Sequence, residues 1–117
     1  STFADLVEEA DGLVLGSPTI NGDAVRPVWD LLSSLTVIDL KGKLGAAFGS
    51  YGWSGEAVHM IEDRLRGLKL RVPIKGVRTK LIPTDEEIQD CLLFGQALGE
   101  ELMGLRKPRA LDMEQLN

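Results

Sequence analysis

Histidine and cysteine each occur once in these 117 residues, and lysine and arginine never form a dense block. A single histidine, His59, makes a histidine-based metal centre or a Ser/His/Asp triad difficult to assemble within this chain, and without a matched base no serine reads as a nucleophile. A single cysteine, Cys91, rules out a disulfide within the chain and any Cys-rich metal site, so no metal is expected. Cys91 falls in the apolar stripe of a predicted helix and reads as a buried, inert thiol. With a formal charge of −5 and no clustered basic face, the chain has nothing to neutralise a row of phosphates, and no nucleic-acid partner is expected. "RGLKLRVPIK" (Arg66 to Lys75) comes nearest, but its charges alternate with apolar residues as in a strand with one wet face. The longest apolar runs, such as Leu13 to Leu15 and Cys91 to Phe94, fall far short of the roughly 20 residues of a membrane helix, and Ser1 opens no signal-peptide pattern. A soluble, cytoplasmic protein with no membrane partner is expected.

What the chain does have is enough apolar material, 44% of its residues, to bury a core in one small domain. Phe3, Leu6, Val7 and Ala10 recur at helical spacing, with Ser1 or Thr2 as cap. Leu13 to Leu15 reads as a short buried strand halted by Gly-Ser-Pro, and its continuous apolarity suggests a parallel sheet covered on both faces. Val28, Leu31, Leu32 and Leu35 mark a helix from Arg26 to Leu35, with Pro27 tolerated in its first turn. Leu44 to Phe48 is a second strand. A helix from Gly55 to Leu68 turns Ala57, Met60, Ile61, Leu65 and Leu68 inward and Glu56, Glu62, Asp63 and Arg66 outward. Val77 to Ile82 is a third strand, with Leu70 to Val72 as an extension. "PTDEEIQD" then starts a helix from Asp85 to about Gly104, with Thr84 as N-cap and Glu87 at capping-box spacing. Residues 1–104 form the domain, and 105–117 read as a tail.

Alternating helices and strands predict an open parallel α/β sheet with helices on both faces. In such sheets ligands collect at the carboxyl ends of the strands. Both unusual segments, "GSPTINGD" and "GSYGWSGEA", follow strand ends and should lie side by side at one rim. Neither is a Walker loop or a dinucleotide fingerprint. They offer main-chain polar groups, the hydroxyls of Ser17, Thr19, Ser50 and Ser54, the amide of Asn21, and the planar side chains of Tyr51 and Trp53. That set suits a flat heterocycle with polar edges and apolar faces. Trp29 reads as a core residue, and Asp23 and Glu56 as acids at helix starts with no catalytic role.

"LVLGSPTINGD", "PVWDLLSSL", "LKGKLGAAFGSYGWSGEA" and "PTDEEI" together resemble the flavodoxin-like domain of the flavodiiron proteins, also called A-type flavoproteins, from about Ala10 to Gly104. The resemblance implies a flavodoxin-like fold and FMN as cofactor. Carried over by motif, the flavin would be clasped by Ser17, Pro18, Thr19, Ile20 and Asn21 and by Ser50, Tyr51, Gly52, Trp53, Ser54 and Gly55, with Tyr51 and Trp53 covering and shaping the site. It further implies electron transfer to a diiron domain that reduces oxygen or nitric oxide, with a rubredoxin-type donor. The phosphate-binding loop and first strands of such domains do not precede Ser1, so the chain is expected to be a fragment lacking those strands. Its exposed edge strand is then expected to make it a homo-oligomer. The competing class is a cofactor-free flavodoxin-like interaction module. A quinone reductase lacks a nicotinamide motif here, and a response-regulator receiver would need an Asp at a strand end.

Overall fold

The computed structural model describes residues 3–20, 22–52 and 55–104. The elements are α1 (Phe3–Glu9), β1 (Gly12–Ile20), β2 (Asp23–Ala24), α2 (Arg26–Ser34), a 3-10 turn (Leu35–Val37), β3 (Leu44–Tyr51), α3 (Glu56–Gly67), β4 (Val77–Lys80) and α4 (Asp85–Leu102). The sheet order is β2-β1-β3-β4, with β1, β3 and β4 parallel and only the two-residue β2 antiparallel. The expected α/β architecture is present. The expected extension near Leu70 to Val72 survives as one bridge, Leu44 to Arg71.

Alternation along the strands divides the sheet into two faces. Leu13, Leu15 and Ala47 point into a core with Val7 of α1, Leu32 of α2 and Ile61 and Leu65 of α3. A Cβ added to Gly45 or Gly49 would meet Leu70 and Leu65, or Val58, so these glycines let α3 close onto β3. The other face carries Gly12, Val14 and Gly16 of β1 and Leu44, Ala46 and Phe48 of β3, and there α4 is the covering helix, with Leu102 beside Gly12. The Phe48 ring lies against Gly16, where any side chain would collide with it.

Three departures from the sequence reading have physical causes. β1 does not halt at Gly-Ser-Pro. It pairs with β3 through Pro18, opposite Ser50, because a missing N–H is tolerated in a strand paired fully on only one side. β3 likewise continues through Gly49 and Ser50 to Tyr51, so the first three residues of the second unusual segment are strand. In α3 the buried positions are Ala57, Val58, Ile61, Glu62 and Leu65, while Met60 is exposed. Glu62 turns inward because Gly76, at the entry to β4, donates its N–H to Glu62 Oε2 at 2.9 Å. His59 Nδ1 lies 3.4 Å from the other carboxylate oxygen. A buried carboxylate is tolerable when its oxygens are engaged in this way.

α4 starts as its sequence foretells. Thr84 Oγ1 accepts from the Glu87 N–H at 3.1 Å, and Glu87 Oε1 accepts from the Thr84 N–H at 2.9 Å, a reciprocal capping box. Glu87 Oε2 also accepts from the Lys80 N–H at 3.1 Å, which ties the helix start to the end of β4. These bonds, led by that from the Thr84 N–H, hold the Glu87 carboxyl below its usual range. None of the described residues of α4 is buried. Cys91 is accordingly exposed, not the buried thiol its apolar stripe suggests. The stripe is real, but the sheet face beneath it is covered only in part. The Ser1 or Thr2 cap and the 105–117 tail lie outside the described residues.

Candidate functional site

The two unusual segments leave neighbouring parallel strands at the same end of the sheet. Gly16, Phe48 and Val77 form one lateral row across β1, β3 and β4, and Pro18, Ser50 and Thr79 form the next. These residues, with Ser17, Gly49 and Cys91, line a cavity of about 440 Å³ on the α4 side of the rim. Its walls are apolar, from Pro18, Phe48 and Val77. The Ser50 and Thr79 hydroxyls, which belong to residues lining the cavity, make no hydrogen bond among the described residues. Apolar walls with a few uncommitted polar groups fit a flat, partly polar ligand.

The first segment is a braced hairpin. β1 turns back at Ile20 and pairs with β2 through Thr19 to Ala24 and Ile20 to Asp23. Gly22 takes φ of +74°, a conformation that a side chain disfavours. An Asn-Gly pair between strands is a strong hairpin signal, and "TINGDA" carries one where a loop is expected from the Gly-Ser-Pro before it. Asp23 Oδ1 accepts from the Ala24 N–H at 2.7 Å and from Trp29 Nε1 at 2.8 Å. Asp23 lies in β2 and holds the hairpin to α2 instead of capping a helix start as its position suggests, whereas Trp29 packs against the core as expected.

Ser17 and Thr19 are brought to the rim, but their hydroxyls work within the fold. Ser17 Oγ donates to the Pro18 carbonyl at 2.8 Å and accepts from the Val25 N–H at 3.0 Å. Thr19 Oγ1 accepts from the Ala57 N–H at 3.2 Å. Ile20 is exposed beside the hairpin turn. In the second segment the Tyr51 ring packs close to Gly55, and the Leu81 N–H donates to the Tyr51 carbonyl at 3.0 Å. Arg78 Nη1 approaches the Gly55 carbonyl at 3.4 Å, and Gly52 is exposed at the tip. Asn21, Trp53 and Ser54 lie outside the described residues. The structure therefore brings together Ser17, Pro18, Thr19, Ser50, Tyr51 and Gly55, and it adds Thr79 and Cys91 to the cavity. Strand register places Thr79 beside Ser50 and the packing of α4 over the sheet places Cys91, and periodicity encodes neither.

Among the described residues, no group of His, Cys, Asp and Glu is placed to hold a metal ion, and no helix is long and apolar enough to cross a membrane.

A parallel sheet with two Ser/Gly-rich segments at adjacent carboxyl ends is a flavodoxin-like arrangement, and the chain belongs to that family: the Flavodoxin family model matches residues 1–95. Within it, the chain is similar to the Type A flavoprotein fprA of Rhodobacter capsulatus, 54% identical over 97% of this chain and 26% of that protein. Among solved structures it superposes on a flavodoxin from the domain Archaea with a TM-score of 0.78 and 33% identity, covering 87% of this chain and 72% of that one. It is also similar to the rubredoxin oxygen:oxidoreductase of Desulfovibrio gigas, TM-score 0.76 and 29% identity, over 82% of this chain and 24% of that one. The chain thus spans about a quarter of the Type A flavoprotein that it matches.

Proposed function

We propose that residues 1–104 are part of the FMN-binding electron-transfer domain of a cytoplasmic flavodiiron oxygen or nitric oxide reductase. The observation that carries this reading is the placement of both motif segments at neighbouring carboxyl ends of one parallel sheet, with Pro18 opposite Ser50. The names of the relatives support the rest: a Type A flavoprotein, and an enzyme whose donor is rubredoxin and whose acceptor is oxygen. A diiron domain as electron acceptor and a rubredoxin-type protein as donor follow as partners.

FMN, when bound, supplies reversible electron chemistry that no side chain here can provide. The chain's own work is to bind, orient and shield. Pro18 and Tyr51 offer apolar cover, the main chain from Thr19 to Ile20 and from Gly52 to Gly55 offers hydrogen bonds to a ring edge, and Ser50 offers a free hydroxyl. Ser17 and Thr19 contribute through their main chains, their hydroxyls being engaged elsewhere. Asn21, Trp53 and Ser54 join the site by motif. No residue of this chain needs to act as acid or base.

Titration with FMN and with riboflavin, followed by flavin fluorescence and visible absorption, tests the proposal. The full-length protein is expected to hold FMN and prefer it to riboflavin. The 117-residue chain alone is expected to bind FMN weakly and without that preference, since charge-assisted bonds to a phosphate carry about 1.5–3 kcal/mol each. A colourless full-length protein that takes up no FMN would favour the interaction module. Among the described residues the outer edge of β1 is paired only at Thr19 and Ile20, which supports association of two copies of the chain. Light scattering of the same preparation should then give at least a dimer, and a monomer at all concentrations would rule it out.

A further inference from the structure

Ser17 and Thr19, two residues apart on β1, project to the same face, and each accepts a backbone N–H at the start of a different helix. Ser17 Oγ takes the N–H of Val25, the N-cap residue just before α2, and Thr19 Oγ1 takes the N–H of Ala57, in the first turn of α3. Neither helix caps itself, because Val25 makes no side-chain cap bond and Gly55 has no side chain to make one. A helix start leaves four N–H groups without partners inside the helix. At α3 the acceptor for one of them comes from the first rim segment, 38 residues earlier in the chain. The hairpin adds a second approach, since a Cβ at Gly22 would lie 4.0 Å from Glu56 Oε2. The second rim segment runs straight into α3, whose first two residues, Glu56 and Ala57, are the segment's last. Any shift of its first turn therefore carries Gly55 along, and with it the residue against which Tyr51 packs.

We propose that Thr19 is a positioning residue that couples the two rim segments: by capping α3 from a distance it sets their spacing, and so the fit of a flavin between them. The flavin part rests on the function proposed above, whereas the coupling itself does not. Thr19→Val keeps the shape and removes the acceptor, and Thr19→Ser keeps the acceptor. In the full-length protein the three forms are compared by hydrogen exchange over residues 55–58, by FMN dissociation and by the flavin absorption spectrum. Thr19→Val is expected to speed exchange at Ala57 about tenfold, the size of a lost cap, to weaken FMN binding about fivefold or more, and to shift the spectrum. Thr19→Ser is expected to restore all three.

Unchanged exchange in Thr19→Val overturns the proposal, and so does faster exchange with unaltered flavin affinity and spectrum. Should Thr19→Val not fold, the wild-type protein still decides: an Ala57 amide that exchanges as fast as an open helix-start amide overturns the coupling. Should the wild-type protein hold no flavin, the functional reading fails while exchange alone judges Thr19.

Discussion

Both faces of this sheet meet helices with apolar stripes, and the two faces end in opposite conditions. Toward α1, α2 and α3, Leu32, Leu35, Ile61 and Leu65 are wholly buried. Toward α4, Val14 is 43% exposed, Phe48 47% and Leu92 64%. The difference shows that an apolar stripe records an intended partner, not an achieved burial. It shows too that a helix can stand on an under-packed face if its own sequence secures its ends. α4 has the capping box and three acids in its first turn, the arrangement that complements a helix dipole.

The sharpest way to break the comparison is to cut equal-sized holes in the two faces. Ile61→Ala removes a fully buried side chain and should cost about 2–5 kcal/mol in urea unfolding. A loss below 1 kcal/mol would mean that the α3 face is as loosely packed as the other. A smaller effect is expected at the start of α4, where Thr84→Ala should cost about 1 kcal/mol. Its partner Glu87 adds a pH signature. The folded carboxyl titrates below its usual value of about 4.3, so its contribution is fully present above that pH and is lost as the pH falls through the lower folded value. Wild type should exceed Glu87→Gln in melting temperature near pH 6 and converge with it in acid, and a gap independent of pH would remove the carboxylate from the cap. The smallest effect belongs to Leu92→Ala, within about 0.5 kcal/mol by the same urea measurement. If it costs as much as Ile61→Ala, a second copy or another partner covers the α4 face in solution.

Much of this arrangement was legible in the residues because it is local. Periodicity places each helix within a residue or two, and Thr84 with Glu87 announces the start of α4. Three things were not legible, for one reason. Glu62 reads as an outward acid until the Gly76 N–H reaches it from 14 residues away. Ser17 and Thr19 read as ligand hydroxyls until the helix starts they serve are in place. Pro18 reads as a strand stop until pairing with β3 on one side makes it tolerable. In each case the deciding partner belongs to a different element from the one whose pattern is read. The hairpin is the exception, since Asn21 and Gly22 stated it plainly. At the site, the motifs located the rim, but the committed hydroxyls of Ser17 and Thr19, and those of Ser50 and Thr79 that make no hydrogen bond among the described residues, emerge only from the three-dimensional arrangement.

The remote capping has a consequence for the order in which the chain can fold. α2 and α3 take acceptors for their first N–H groups from β1, and the end of α1 is closed by Lys43 Nζ, which donates to the carbonyls of Glu8 and Ala10 at 2.8 and 2.7 Å. These three helices finish only when β1 and the turn before β3 have arrived, so their ends form together with the sheet and not ahead of it. α4 carries both halves of its own cap. Of the four α-helices described it emerges last during synthesis, and it is the one that need not wait.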